Sequence, residues 1–134
     1  MQFTKAEEYG LFGVIYLAKQ PPSGVATLRE ISQAQSVPEK FLAKIFQNLT
    51  RAGLVRSHRG VRGGFSLAKP PKRINVAEII AAIQGDADPI KCVVNRRDCG
   101  KKNNCAVRDL ILEGRHQMFA LYKKRSLLEL ANRY

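Results

Sequence analysis

The sequence predicts a mainly α-helical fold with a small β-hairpin, arranged as a winged helix-turn-helix followed by a long dimerisation helix. Helical periodicity runs through most of residues 4–52 and returns after residue 105. Between these stretches, residues 54–68 alternate like a half-buried hairpin around a glycine-rich basic turn. We therefore expect three parts: residues 1–85 as the helix-turn-helix unit, 86–105 as a cysteine-bearing loop, and 106–134 as the dimerisation and terminal helices.

Composition restricts the class of protein. The 134 residues are 45% hydrophobic and 25% charged, as in a globular protein, and no apolar run reaches the roughly 20 residues that a membrane span needs. No basic segment followed by an apolar one opens the chain, so we expect no signal peptide, no membrane partner and a cytoplasmic location. Three cysteines in a reducing compartment do not suggest a disulfide framework.

The basic charge is concentrated in one interval. The formal net charge is +12, and no acidic residue occurs from Lys40 to Ala77. The basic residues of this interval are Lys40, Lys44, Arg51, Arg56, Arg59, Arg62, Lys69, Lys72 and Arg73. A polyanion such as double-stranded DNA is the natural partner, because each phosphate contact releases counterions. The alternative is a solubilising basic face without a specific partner.

Capping boxes at residues 4–7 and 27–30 open the first two helices. The first helix is expected to run to about Lys19 and the second to about Gln35. Helical spacing in the first helix predicts that Leu11, Phe12, Ile15 and Ala18 face the core. Leu28 and Ile31 are the corresponding inward residues of the second helix.

A third capping box, at residues 36–39, is expected to open the third helix, which ends before Gly53. Its predicted buried stripe is Phe41, Leu42, Ile45, Phe46 and Leu49. Two short helices joined by a few residues, the second with a basic face, form the helix-turn-helix arrangement that reads DNA. The predicted DNA contacts of this part are Ser36, Pro38, Glu39, Lys40, Lys44, Gln47 and Arg51.

The predicted wing consists of strands over residues 54–58 and 65–68 and the turn between them. Three glycines let the turn approach another surface closely, and Arg59 and Arg62 can reach a phosphate or a narrow minor groove. An ordinary hairpin turn with solubilising charges is the alternative. The predicted DNA contacts of the wing are Arg56, His58, Arg59, Gly60, Arg62, Gly63 and Gly64.

Three further helices are expected. Asn75 caps the fourth helix, which ends at Gly85 and buries Val76, Ile79, Ile80 and Ile83. Residues 106–125 form a long helix whose apolar stripe is Val107, Leu110, Ile111, Met118, Leu121 and Tyr122. This stripe predicts a dimerisation helix, unless it packs back on its own domain. A capping box at residues 126–129 begins a short terminal helix.

Three cysteines, Cys92, Cys99 and Cys105, lack the tight pair with which zinc sites usually begin. Wider loops with several thiolates suit an iron–sulfur cluster, and the neighbouring basic residues would offset its negative charge. A fourth protein ligand is missing from the loop, and a carboxylate is a better candidate than either histidine. Incidental thiols, or redox-active thiols without metal, remain alternatives.

The chain resembles the bacterial iron–sulfur transcriptional regulators typified by IscR, NsrR and RsrR, whose metal-free relatives include CymR. The resemblance covers nearly the whole chain. Its marks are FTK at 3–5, EYGL at 8–11, residues 41–49, GLV at 53–55, RGVRGGFSL at 59–67, INVAEII at 74–80 and the three cysteines.

The resemblance implies a homodimer in which two winged helices read a palindromic promoter site under control of the cluster, which senses redox state, nitric oxide or iron and cluster status. IscR-like members use a histidine three residues after the last cysteine, and here that position is Arg108. NsrR- and RsrR-like members use an acidic residue of the first helix, which matches Glu8, and this ligand can come from the partner chain. Both Glu7 and Glu8 could instead simply favour the positive end of the helix. Three cysteines favour 4Fe–4S over 2Fe–2S.

Catalytic patterns are missing from the sequence. We find no nucleophile–base pair, no paired carboxylates and no phosphate loop that leads into a helix. We therefore expect that the chain is not an enzyme and has no small-molecule substrate.

Overall fold

The computed structural model describes residues 3–85 and 105–134. Within these ranges the chain forms α1 (Lys5–Ala18), α2 (Leu28–Gln35), α3 (Glu39–Arg51), β1 (Val55–His58), β2 (Gly64–Leu67), a 3-10 turn (Pro71–Arg73), α4 (Val76–Gln84), α5 (Ala106–Lys123) and α6 (Leu127–Arg133). The strands β1 and β2 pair antiparallel. The predicted fold class, mainly helical with one small hairpin, is confirmed.

One apolar core joins the helices to the wing. Phe46 of α3 is fully buried, and its ring meets the ring of Phe65 edge-on, with centroids 5.0 Å apart. A Cβ atom at Gly13 would lie 2.8 Å from Phe46 Cε2, so the glycine lets α1 approach α3 closely. These contacts fix α3 and the wing relative to each other.

The predicted buried stripes are mostly confirmed. Leu42, Ile45, Phe46 and Leu49 of α3 are buried, as are the four predicted residues of α4. The predicted burial of Phe41 is wrong, because 49% of this residue is exposed. Its ring lies on the flank of α3, with its centroid 6.1 Å from that of the Tyr9 ring. In α1, Phe12 is only half-buried while Val14 and Leu17 are buried, because α1 is packed on several sides and not along one stripe.

The third predicted capping box is wrong. Ser36 adopts the left-handed conformation (φ 53°) and ends α2, while Pro38 precedes α3 without a side-chain cap. Val37 is buried between these residues, and Ser32 Oγ donates a 2.6 Å hydrogen bond to the Val37 carbonyl. Because Val37 is buried between the two helices, α3 begins at Glu39 and not directly after Ser36. The other three predicted capping boxes, at Thr4, Thr27 and Ser126, are confirmed, and the predicted cap Asn75 also forms a capping box, with Glu78.

The terminal helix α6 packs against α1 and the 3-10 turn. Leu127 is fully buried in the same core as α3 and α4, and its backbone N–H donates a 2.8 Å hydrogen bond to the Ile74 carbonyl. The predicted helix is therefore present, and it completes the core of the helix-turn-helix unit. The proposed division into three parts stays a prediction.

Most of the apolar stripe of α5 lies at the surface of the single chain. Val107, Leu110 and Leu121 are 50–69% exposed. Near its C-terminal end, Phe119 and Tyr122 pack against the core, and the Tyr122 ring stacks on Phe3 with centroids 5.8 Å apart. The helix is thus anchored at one end. No helix among the described residues is long and apolar enough to cross a membrane.

Candidate nucleic-acid interface and metal site

The outward face of α3 is basic. Lys40, Lys44, Gln47 and Arg51 are all exposed, because they lie on the side of the helix opposite Leu42, Phe46 and Leu49. None of these three cations forms an ion pair with another described residue. Cations on a helix that have no ion-pair partner among the described residues are suited to neutralising phosphates.

The turn before α3 is also accessible. Ser36, Pro38 and Glu39 are exposed at the N-terminal end of α3. In a helix-turn-helix, the N-terminal residues of the second helix contact base edges. All the predicted contacts of this turn and of α3 are thus exposed.

The wing tip presents its two arginines to solvent. Arg59, Gly60, Val61 and Arg62 are exposed, and the turn is closed by a 2.9 Å hydrogen bond from the Gly63 N–H to the Gly60 carbonyl. Arg56 is exposed on β1. His58 differs from these residues, because its Nε2 lies 2.7 Å from Oγ of the buried Ser66. His58 therefore has a structural contact besides its predicted contact with DNA.

Two of the wing glycines are required by the chain's own packing. At Gly63, a Cβ atom would lie 2.6 Å from the His58 carbonyl oxygen. At Gly64 (φ 151°) it would lie 2.5 Å from the Ala26 carbonyl oxygen, where Phe65 and Ala26 exchange backbone hydrogen bonds of 2.8 and 2.9 Å. The backbone at these two glycines thus closely approaches other parts of the same chain.

Sequence reasoning missed a groove beside this surface. The α1–α3–α4 groove has a volume of about 970 Å³ and includes Tyr9, Phe41 and Ile83 in its lining, together with lysines of α1 and α3. The signal in the sequence was Phe41, which lies about 90° around α3 from the centre of the buried stripe.

The two glutamates at the start of α1 have different surroundings. Glu7 is buried, with its Oε2 accepting from the Thr4 N–H (2.9 Å) and its Oε1 accepting from Gln84 Nε2 (2.8 Å). Glu8 is half-exposed, and its side chain contacts Lys5 Nζ at 3.0 Å. Binding of a metal by Glu8 would therefore break only its exposed contact with Lys5, whereas binding by Glu7 would break the hydrogen bonds to Thr4 and Gln84.

Of the predicted thiol ligands, the structure describes Cys105, and Cys92 and Cys99 lie outside the described residues. Cys105 is a half-buried free thiol that immediately precedes α5. Within residues 3–85 and 105–134, no three His, Cys, Asp or Glu side chains are grouped as a metal site. The predicted ligand set stays a prediction.

Comparison with known sequences gives a consistent class of relatives. The sequence model of the Rrf2 family, described as iron-dependent transcriptional regulators, matches residues 3–133. CymR of Bacillus subtilis, an HTH-type transcriptional regulator, is 30% identical over 113 residues, which cover 84% of this chain and 82% of CymR. A Synechocystis protein named as an HTH-type regulator is 37% identical over 89 residues, 66% of this chain and 60% of that protein.

Solved structures of transcriptional regulators also superpose on this chain. That of Bacillus subtilis CymR superposes with a TM-score of 0.78 at 28% identity, over 100% of this chain and 98% of that one. The oxidised form of Staphylococcus aureus CymR gives 0.75 at 26% identity, over 98% and 96%. IscR of T. potens gives 0.79 over 100% and 89%, and at 23% identity it shows the shared fold.

These relatives are named as transcriptional regulators, which confirms the expectation that the chain is not an enzyme. The match extends over nearly all of the chain, from Phe3, just before α1, to Arg133, the last residue of α6. Together with the exposed basic face of α3 and the wing, it shows that the chain belongs to the Rrf2 family of DNA-binding transcriptional regulators.

Proposed function

We propose that this chain is a cytoplasmic, homodimeric regulator whose binding to palindromic promoter DNA is controlled by an iron–sulfur cluster. The proposed ligands are Cys92, Cys99, Cys105 and Glu8. The observation that carries the cluster assignment is the difference between the two adjacent glutamates: Glu7 is used by the fold, while Glu8 is half-exposed beside an exposed lysine.

The donor set fits an iron–sulfur cluster. Three thiolates and one carboxylate make four ligands, and thiolates are the preferred ligands of such clusters. Arg108, at the position of the histidine ligand of IscR-like members, carries no metal-binding atom and contacts Asp109 at 3.4 Å. When bound, the cluster would supply iron that reacts with oxidants or nitric oxide and that is lost when iron is scarce.

The shape of α5 supports a ligand set shared between two chains. This helix has 18 residues, so it is about 27 Å long, and it is anchored on its own domain near Tyr122. Cys105 lies at the opposite end, next to turns whose apolar residues are exposed. In a dimer in which the two α5 helices cross, Cys105 would lie near the partner subunit, whose Glu8 would complete the set.

The proposal is tested by purifying the protein without oxygen and measuring iron, acid-labile sulfide and visible absorption. We expect about four of each per chain for 4Fe–4S; about two would indicate 2Fe–2S. Cys92→Ala, Cys99→Ala, Cys105→Ala and Glu8→Gln should each lose or destabilise the cluster, whereas Glu113→Gln serves as a matched control on an exposed carboxylate. A full cluster in any of the four ligand variants would refute that ligand's assignment.

A second candidate function keeps DNA binding without a cluster. The similarity to CymR, which the resemblance places among the metal-free members, favours it. Control would then come from thiol oxidation or from a protein partner. Iron-free protein whose DNA affinity changes on oxidation, and no longer changes in the cysteine variants, would establish this function instead.

A further inference from the structure

The α1–α3–α4 groove combines apolar and aromatic surface. Ile45 and Ile83, both buried, contribute apolar lining together with Ala82. Tyr9 and Phe41 add two rings whose centroids are 6.1 Å apart. A volume of about 970 Å³ lies within the range of about 300–1,000 Å³ that small-molecule sites usually have.

The charged residues that the structure describes in the groove lining are all basic. Lys5, Lys40, Lys44 and Arg51 line it, and none of its described lining residues is acidic. Lys5 contacts Glu8, but Lys40, Lys44 and Arg51 have no ion-pair partner among the described residues. A cleft lined by like charges on low-dielectric walls concentrates the opposite charge, so the groove favours an anion.

The apolar lining narrows the choice of anion. Inorganic phosphate or the DNA backbone could meet the lysines, but neither gains from contact with Tyr9, Phe41 and Ile83. A surface of another chain would bury the three unpaired cations unless it brought carboxylates with it. A small molecule with an aromatic or apolar body and an acidic group satisfies both parts of the lining.

We propose that the α1–α3–α4 groove binds a small organic anion with an aromatic or apolar body, and that the bound anion weakens DNA binding. The second part rests on the DNA-reading role of α3 in the proposed function. Lys40, Lys44 and Arg51 both line the groove and belong to the outward face of α3. An anion in the groove neutralises charges that phosphates would otherwise meet.

The test uses 8-anilinonaphthalene-1-sulfonate, an aromatic sulfonate whose fluorescence rises at apolar surfaces. Titration of the full chain should show one saturable site per chain. Phe41→Ala and Lys44→Ala should each weaken binding by about three- to tenfold. Matched controls are Phe3→Ala, which removes another half-exposed ring outside the groove, and Lys123→Ala on α5; both should leave the affinity unchanged. N-phenyl-1-naphthylamine, an uncharged analogue, should bind several-fold more weakly than the sulfonate.

The probe should also raise the apparent Kd for promoter DNA in the wild-type chain, and less so in Phe41→Ala. Equal affinities for the two dyes, or equal losses in the control variants, would overturn the anion site. So would a change of oligomeric state in Phe41→Ala, because the groove would then be a protein contact. Dye binding without any effect on DNA affinity would overturn the competition. Failure of the proposed function can be recognised separately. In experiments without dye, the protein would then fail to bind promoter DNA or would contain no iron.

Discussion

Glu7 and Gln84 join the first turn of α1 to the last turn of α4 through a 2.8 Å hydrogen bond from Gln84 Nε2 to Glu7 Oε1. Glu7 is 6% exposed, and its carboxylate also accepts a hydrogen bond from the Thr4 N–H at the start of α1. Burial, followed by the negative charge of Glu7, raises the pKa of Tyr122 on α5. Gln84 is the last residue of α4, so this bond fixes the point where the chain leaves for the cysteine-bearing part, relative to the helix that carries Glu8.

Glu7→Ala should lower the free energy of unfolding by about 1–3 kcal/mol, because it removes the carboxylate half of the capping box of α1 and leaves the Gln84 amide without its acceptor. Glu8→Ala should cost no more than about 1 kcal/mol, since it breaks one exposed ion pair. Urea unfolding of the iron-free protein measures both. Equal losses would contradict the different roles assigned to the two glutamates.

Gly64→Ala should destabilise the chain by about 1–3 kcal/mol. The added Cβ would lie against the Ala26 carbonyl at a backbone conformation that side chains rarely adopt. Gly60→Ala meets no atom within 4 Å, so it should suffer only the cost of its positive φ. Thermal unfolding compares the two variants, and a larger loss for Gly60→Ala would show that the contact with Ala26 is unimportant.

Arg59→Ala and Arg62→Ala should weaken promoter binding and reduce its salt dependence. Each lost phosphate contact lowers the slope of log K against log salt by about 0.9. Fluorescence anisotropy at several salt concentrations measures the slope, and Arg133→Ala on α6 is the control. Unchanged affinity and slope in both wing variants would remove the wing from DNA binding.

Leu110→Glu should convert the proposed homodimer into monomers, because it places a charge in the exposed apolar stripe of α5. Leu110 is 69% exposed in the single chain, so the substitution should leave the fold of the monomer intact. Sedimentation equilibrium gives the mass and circular dichroism the helix content. A variant that remains dimeric would place the dimer contact elsewhere.

Stability should fall in acid partly through the capping boxes. The pKa of Glu78 lies below its ordinary value of 4.5, first because of the Asn75 backbone hydrogen bond and also because of Lys69. Its contribution is therefore complete above about pH 4.5 and is lost as the pH falls through the lowered folded-state pKa. Glu30, whose pKa is lowered by Thr27, should behave alike.

The measurement is the melting temperature of wild type and Glu78→Gln between about pH 6 and pH 3. Their difference should shrink as the pH falls, because the wild-type carboxylate becomes protonated and resembles the amide. Parallel curves would mean that the carboxylate charge of Glu78 contributes nothing to the stability of α4.

The sequence by itself determined the features that depend on neighbouring residues. The capping boxes at Thr4, Thr27 and Ser126, the cap at Asn75, the hairpin strands and the end of α3 before Gly53 were all predicted. Each follows from hydrogen bonds or backbone preferences within about four residues. The outward basic face of α3 was also predictable, because helical periodicity places its residues opposite the apolar stripe.

Contacts between residues distant in sequence were decided by the tertiary structure. Burial of Val37 shifted the start of α3. Phe41 lies against Tyr9 of α1 outside the core, where both rings line the groove. Glycine is required at position 64 because the Ala26 carbonyl, 38 positions earlier in the chain, leaves no room for a Cβ atom. The backbone N–H of the buried Leu127 donates a hydrogen bond to the Ile74 carbonyl. Local patterns do not specify which surfaces meet, because that choice depends on the packing of the whole chain.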